Sequence, residues 1–162
     1  MHEHISGIVP PMTTPFRSDD TIDEGALRAD TRYLIETARV HGLAVTGSTG
    51  EGHALTTDEV RRITAVVSED VRGRVPVITG IITDSTASAV ARGLAVKDLG
   101  VAALQVTPVH YLFRPDDLPA NVKYCQEVTG RPAGVPRAPM PATSPAQASA
   151  IQAALRGAGL LG

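Results

Sequence analysis

Tryptophan is absent from this chain, and only two phenylalanines and three tyrosines stand among its 162 residues. So sparse an aromatic set leaves no stacking platform for nucleic-acid bases. Charge of one sign is also lacking: 15 Lys and Arg against 17 Asp and Glu give a net −2. Neither nucleic acid nor a membrane surface is therefore an expected partner. The single cysteine, Cys125, excludes an internal disulfide and suits a reducing compartment. No apolar run approaches membrane-spanning length. The opening Met1-His2-Glu3-His4 lacks the basic segment and apolar core of a signal peptide. These absences predict a cytoplasmic globular protein. No His/Cys/Asp spacing matches a zinc site, and no cofactor is expected.

What is present is an α/β pattern. Hydrophobic residues make up 43% of the chain, enough for one domain with a core. Ile8-Val9-Pro10-Pro11-Met12 reads as a first strand cut short by proline. Asp23 caps a helix expected to reach about Val40, with Leu27, Tyr33, Leu34 and Ala38 at helical spacing. Leu43-Ala44-Val45 is a second strand. Thr56 and Glu59 have capping-box spacing, and Val60, Ile63, Val66 and Val67 form the buried face of the helix that follows. Val75 to Thr79 is a third strand, and a helix spans roughly Ser85 to Leu99. Val101 to Val106 is a fourth strand, followed by a helix between Asp117 and Val128 in which Pro119 limits the start. Four βα units in succession imply a parallel sheet with helical crossovers. A doubly wound sheet and part of a (β/α)8 barrel fit this pattern equally well.

The segment Leu43-Ala44-Val45-Thr46-Gly47-Ser48-Thr49-Gly50-Glu51-Gly52 ends an apolar strand in hydroxyls and glycines. Parallel α/β folds bind ligands at this end of their strands. The hydroxyls of Ser48 and Thr49, with free backbone N–H groups, suit a small carboxylate. The glycine order is G-x-x-G-x-G, without a following G-K-[ST], so a nucleotide loop is weakly supported. Glu51 reads as holding its loop or capping the next helix. His53 and His110 stand near the expected pocket and Arg114 on its loop. His41, at the expected helix end, suits the C-terminal dipole. Lys97 and Lys123 are the only lysines, and both read as solvated helix positions.

Several motifs resemble one family in order and spacing. Gly7-Ile8-Val9-Pro10-Pro11-Met12-Thr13-Thr14-Pro15-Phe16 resembles the opening strand of the dihydrodipicolinate synthase / N-acetylneuraminate lyase family. Gly47-Ser48-Thr49-Gly50-Glu51 resembles its G-[ST]-[ST]-G-E motif, and Leu55-Thr56-Thr57-Asp58-Glu59 the L-T-x-x-E that follows. Pro76 to Gly80 and Leu104 to Pro108 are similar to its third and fourth strands. The resemblance covers about Gly7 to Gly130. It implies a (β/α)8 barrel, a homo-oligomer, and a lyase or aldolase that binds pyruvate or another 2-oxo acid as a Schiff base. By that resemblance Ser48 and Thr49 hold the carboxylate and relay protons, and Tyr111 is the candidate for a tyrosine of the relay.

The family's fifth-strand Y-N-x-P motif and its sixth-strand lysine have no counterpart. Residues 1–130 are therefore read as the first half of such a barrel, truncated before the catalytic step and inactive alone. Residues 131–162, without Asp or Glu and rich in Ala and Pro, read as a divergent, flexible tail, in which Ser149 to Leu155 suits a short helix. Half a barrel exposes two sheet edges, which predicts dimerisation or aggregation. Two other readings stand beside the lyase: a non-catalytic carboxylate-binding or assembly module, and an independent α/β domain that binds phosphate or nucleotide at Ser48 and Thr49.

Overall fold

The computed structural model describes residues 5–109, 118–137 and 141–161. Its sheet has three parallel strands in sequence order: β1 (Leu43–Val45), β2 (Val77–Ile82) and β3 (Ala103–Thr107). Register runs Leu43 to Val77, Val45 to Thr79, Thr79 to Leu104 and Ile82 to Thr107. Helix α1 (Glu24–Arg32) precedes β1, helices α2 (Thr57–Val71) and α3 (Thr86–Val96) are the crossovers, and α4 (Leu118–Val128) and α5 (Pro145–Gly157) follow. No helix among the described residues is long and apolar enough to cross a membrane.

The caps sit where local chemistry demands them. Asp23 accepts the Ala26 N–H at the start of α1. Thr56 and Glu59 form a reciprocal capping box on α2, satisfying two otherwise orphaned N–H groups. Helix α2 ends on Arg72 in the left-handed region, followed by Gly73 at φ +71°. Past Arg32 the first helix widens into a π-turn, Tyr33–Thr37, and the Ala38 N–H donates to Tyr33 O at 2.9 Å. It stops there, short of Val40. His41 is therefore not at the helix end; its Nδ1 accepts the Ile8 N–H at 3.0 Å.

The expected first strand is not formed. Only one parallel bridge, Pro11 to Ala44, joins this segment to β1. Pro10 and Pro11 have no N–H to give, so pairing is reduced to the Met12 and Ala44 N–H groups, which donate to Ala44 O and Pro10 O.

The core lies between the sheet and the helices. Leu43, Val45, Val77 and Ile81 of the sheet meet Leu27 of α1 and Val60, Ile63, Val66, Val67 and Val71 of α2, all buried. Ion pairs lace the helices outside this core. Arg28 reaches Glu69 and Asp70, both at 2.7 Å, and Arg62 reaches Glu24 at 2.6 Å. Arg61 ties α2 to Asp98 just past α3 at 2.6 Å.

Helix α4 does not follow β3 around the sheet. Gln126 accepts from Thr13 Oγ1 at 2.6 Å and donates to Asp30 of α1 at 3.3 Å, on the β1 side of the molecule. Residues 131–137, read from composition as the start of a flexible tail, pack against the same side. The Val135 N–H bonds Phe16 O, Ala133 is fully buried, and Arg131 pairs with Asp30 at 3.2 Å. Gly134 fits only as glycine, since a Cβ there would lie 2.5 Å from Phe16 O and its φ is +64°. Helix α5 is longer than the expected short helix, because Ser144 and Gln147 form a second capping box and Pro145 opens the first turn.

Candidate functional site

Ser48 and Thr49 stand at the carboxyl end of β1, in a loop whose backbone is tightly held. The Thr46 hydroxyl donates to Gly80 O at 2.8 Å, Gly52 N–H to Gly47 O at 3.0 Å and Glu51 N–H to Ser48 O at 3.2 Å. The Thr14 hydroxyl donates to Gly50 O at 2.6 Å. Thr46 and Glu51 both adopt positive φ, 54° and 57°, a conformation that side chains pay for and that functional loops retain. Gly80 makes this approach possible: a Cβ there would lie 2.6 Å from Thr46 O and from Gly47. Arg92 of α3 braces the far side, donating to the carbonyls of Gly52, Leu55 and Ile82. Ser48 is half-buried and Thr49 buried.

Directly beside this loop lies a charged cluster that the sequence reading missed. Glu51 is fully buried, and its Oε1 lies 2.6 Å from Lys123 Nζ, whose side chain is 2% exposed. Lys123 is thus no solvated helix position, whereas Lys97 is exposed. The ammonium also donates to Val135 O at 2.7 Å and sits 4.7 Å from the centre of the Phe16 ring. The second carboxylate oxygen of Glu51 accepts the Arg137 N–H at 2.8 Å. The Arg137 guanidinium lies over the Phe16 ring at 4.3 Å, bonds Ala54 O, and pairs with Glu59 at 2.6 Å and Asp20 at 3.2 Å. Glu51 therefore anchors Lys123 and residue 137; capping of α2 falls to Thr56 and Glu59.

The electrostatics follow from these contacts. Burial pushes the Lys123 amine down from its ordinary value, and the Glu51 carboxylate opposes that shift. Arg137 holds the Glu59 carboxyl down at about 2, assisted by the Thr56 N–H. Burial raises Asp30, against the pull of Arg131. His53, next to the loop, is lowered by burial, and its Nδ1 is buried without a partner. A cleft of about 360 Å³ opens at the carboxyl ends of β2 and β3, lined by Thr83, Asp84, Ser85, Thr86, Ala89, Val106 and Pro108. Ser48 and Thr49 do not line it. Tyr111, His110 and Arg114 lie outside the described residues, as do His2 and His4.

The signal that would have exposed Lys123 is weak. The buried face of α4 is Pro119, Ala120, Lys123 and Gln126, a proline, a small residue and two polar ones at helical spacing. Hydrophobic periodicity does not see such a face.

The sequence signature of the Dihydrodipicolinate synthetase family matches residues 4–141. The chain belongs to that family. Among curated relatives of the family, the 4-hydroxy-tetrahydrodipicolinate synthase of Methanothermobacter thermautotrophicus is 36% identical over 129 residues, covering 79% of this chain and 45% of the relative. Among solved family members, the N-acetylneuraminate lyase of Mycoplasma synoviae superposes with a TM-score of 0.58 at 28% identity, over 63% of this chain and 36% of that one. A prophage protein of the dihydrodipicolinic acid synthase family from E. coli K12, solved in complex with pyruvate, gives 0.60 at 28%, over 68% and 37%. The fold is a partial (β/α)8 barrel. The chain spans between a third and just under half the length of the first curated family members it matches.

Proposed function

We propose that this chain carries the keto-acid carboxylate loop of a dihydrodipicolinate synthase-type lyase and does not itself form the imine. Ser48 and Thr49 hold the carboxylate of pyruvate or a related 2-oxo acid, with Ser48, and Tyr111, which follows β3 in sequence, in the proton relay. The E. coli family member's complex with pyruvate supports the choice of ligand. The observation that carries the loop assignment is its rigidity: Thr46, Thr14 and Gly80 hold the backbone while both hydroxyls stay clear of those bonds. Preorganised donors of this kind bind a carboxylate without reorganisation.

Imine formation joins an amine nitrogen to the ketone carbon and expels water, so the amine must be neutral and within reach. Lys123 is neither free nor reachable. Its Nζ is enclosed by Glu51, Val135 O and Phe16; burial pushes the amine toward its neutral form, but the ion pair with Glu51 and the bond to Val135 O hold it away from a ketone carbon. Lys97 is exposed on the far end of α3. The lone thiol of Cys125 fits a reducing, cytoplasmic setting.

Pyruvate and borohydride followed by intact mass measurement test this reading. The expected result is no adduct, together with pyruvate binding by calorimetry that weakens at least tenfold in Ser48→Ala/Thr49→Val. A reduced adduct on Lys123 or Lys97 would overturn the assignment of an imine-free chain. Binding unchanged in the double variant would remove the loop from the site.

A further inference from the structure

The two borders of the sheet are built differently. At the β1 border Pro10 and Pro11 stand across from Ala44 and allow one bridge. Among the described residues no such guard stands at the β3 border. Residues Ala103–Thr107 read Ala-Leu-Gln-Val-Thr, with no charge and no proline, the two devices that normally keep an open strand from pairing. Among the described residues, β3 has β2 as its sole neighbour.

The register says which groups are free. Thr79 pairs with Leu104 and Ile81 with Val106, and the Thr83 N–H donates to Thr107 O. In a parallel ladder one residue turns both its N–H and its C=O to the same neighbour, and the next turns both away. Ala103, Gln105 and Thr107 therefore serve β2, while Leu104 and Val106 present their N–H and C=O groups at the open border. Their side chains project on the helix side of the sheet. Thr79, across from Leu104, touches Thr64 of α2 at 3.3 Å, and Leu104 lies against Gly93 of α3. Leu104 and Val106 are 43% and 59% exposed, and Val90 and Leu94, one turn apart on α3, are 56% and 57% exposed.

We infer that β3 is the docking edge for a second copy of this chain, paired antiparallel about a two-fold axis at Gln105. That register is self-complementary. Leu104 of each copy exchanges both backbone hydrogen bonds with Val106 of the other, so the four groups left open on each strand are all satisfied. The same pairing sets Leu104 against Val106 on the helix side, apolar against apolar. It also brings the two α3 helices side by side with Val90 and Leu94 turned inward. No other described strand offers this match, and the proline-guarded border cannot propagate it. The assembly closes at two copies and does not grow into a filament.

Sedimentation velocity on the 162-residue chain is the first test, with twice the chain mass expected. Val106→Lys places a charge on the open border without touching the β2 ladder, and is expected to run at single-chain mass with unchanged circular dichroism. In a Cys125→Ser background, Gln105→Cys is expected to cross-link to itself under mild oxidation. Directly opposed residues at a non-hydrogen-bonded pair lie about 4.5 Å apart at Cα, within disulfide reach. Leu104→Cys, which faces Val106 instead, is expected to cross-link far less. A monomeric wild-type chain, a dimer that survives Val106→Lys, a polydisperse ladder of higher species, or equal cross-linking at 104 and 105 would each overturn the proposal. These readouts are independent of pyruvate binding, so they fail separately from the carboxylate-loop assignment.

Discussion

Helices α2 and α3 occupy equivalent places, each following a strand of one parallel sheet, yet they are buried to very different extents. Helix α2 hides Val60, Ile63, Thr64, Val66, Val67 and Val71, whereas α3 hides only Val96. Both have apolar residues at helical spacing. The difference is one of neighbours: among the described residues α2 lies between α1 and α3, while α3 packs against α2 on one side. A crossover helix buries its stripe in the groove between its own strand and the next unit. The flank nearest β1 is closed by α4, Lys123 and residues 131–137, and no described element covers the flank nearest β3. Val90 and Leu94 lie exposed on that flank, with no described element packed over them.

The largest blow to the closed flank should come from Lys123→Met. It leaves the Glu51 carboxylate buried without its cation, at a cost of about 3–5 kcal/mol, read from the urea midpoint at fixed slope. Combining it with Glu51→Leu should recover most of that loss, since a buried ion pair and apolar residues of similar volume are often near-equal in stability. No recovery would show that Glu51 stabilises through its loop geometry instead.

The contrast between the helices is sharpened by paired truncations in the Val106→Lys background, where the inferred dimer is absent. Ile63→Ala in α2 should cost about 2–5 kcal/mol, while Leu94→Ala in α3 should stay within about 0.5 kcal/mol. Equal losses from chemical denaturation would mean that α3 is covered after all.

The smallest expected effect is a dependence on pH. Glu59 is held at about 2, below its ordinary 4.5, chiefly by Arg137. A depressed carboxylate contributes fully above pH 4.5 and loses its contribution as pH falls toward 2. Arg137→Gln should therefore lower stability by about 1–2 kcal/mol near neutrality, allowing for partial solvent screening. Its stability curve should converge with that of the wild type as acid is added. Parallel curves down to pH 2 would assign the acid sensitivity to another group.

Much of the fold was legible residue by residue. Asp23, Thr56 and Ser85 act as caps through bonds to N–H groups three positions away, so local chemistry is enough to find them. Val60, Ile63, Val66 and Val67 face inward because a helix with one apolar stripe has one way to hide it. Strands β1 and β3 fall within a residue or two of their apolar runs, and β2 runs three residues further, through Gly80. The failures share a cause. Pro10 and Pro11 sit in an apolar run, but strand formation needs donors that they lack. Lys123 looked solvated because its burial depends on Glu51, distant in the chain, and Arg131 and Arg137 looked like tail because their carboxylates lie far upstream.

The amino-acid sequence alone therefore determined the family, the order of the βα units and their caps, because motifs, apolar runs and capping bonds are each read within one or two turns of chain. Only the tertiary structure decided that Lys123 is buried against Glu51 and that residues 131–137 close one flank. Among the described residues it likewise left β3 at the end of the sheet, with Leu104 and Val106 exposed. Those outcomes depend on which distant groups meet. Burying a charge is tolerable only where its partner is already waiting, and an apolar strand is exposed only where no neighbour arrives.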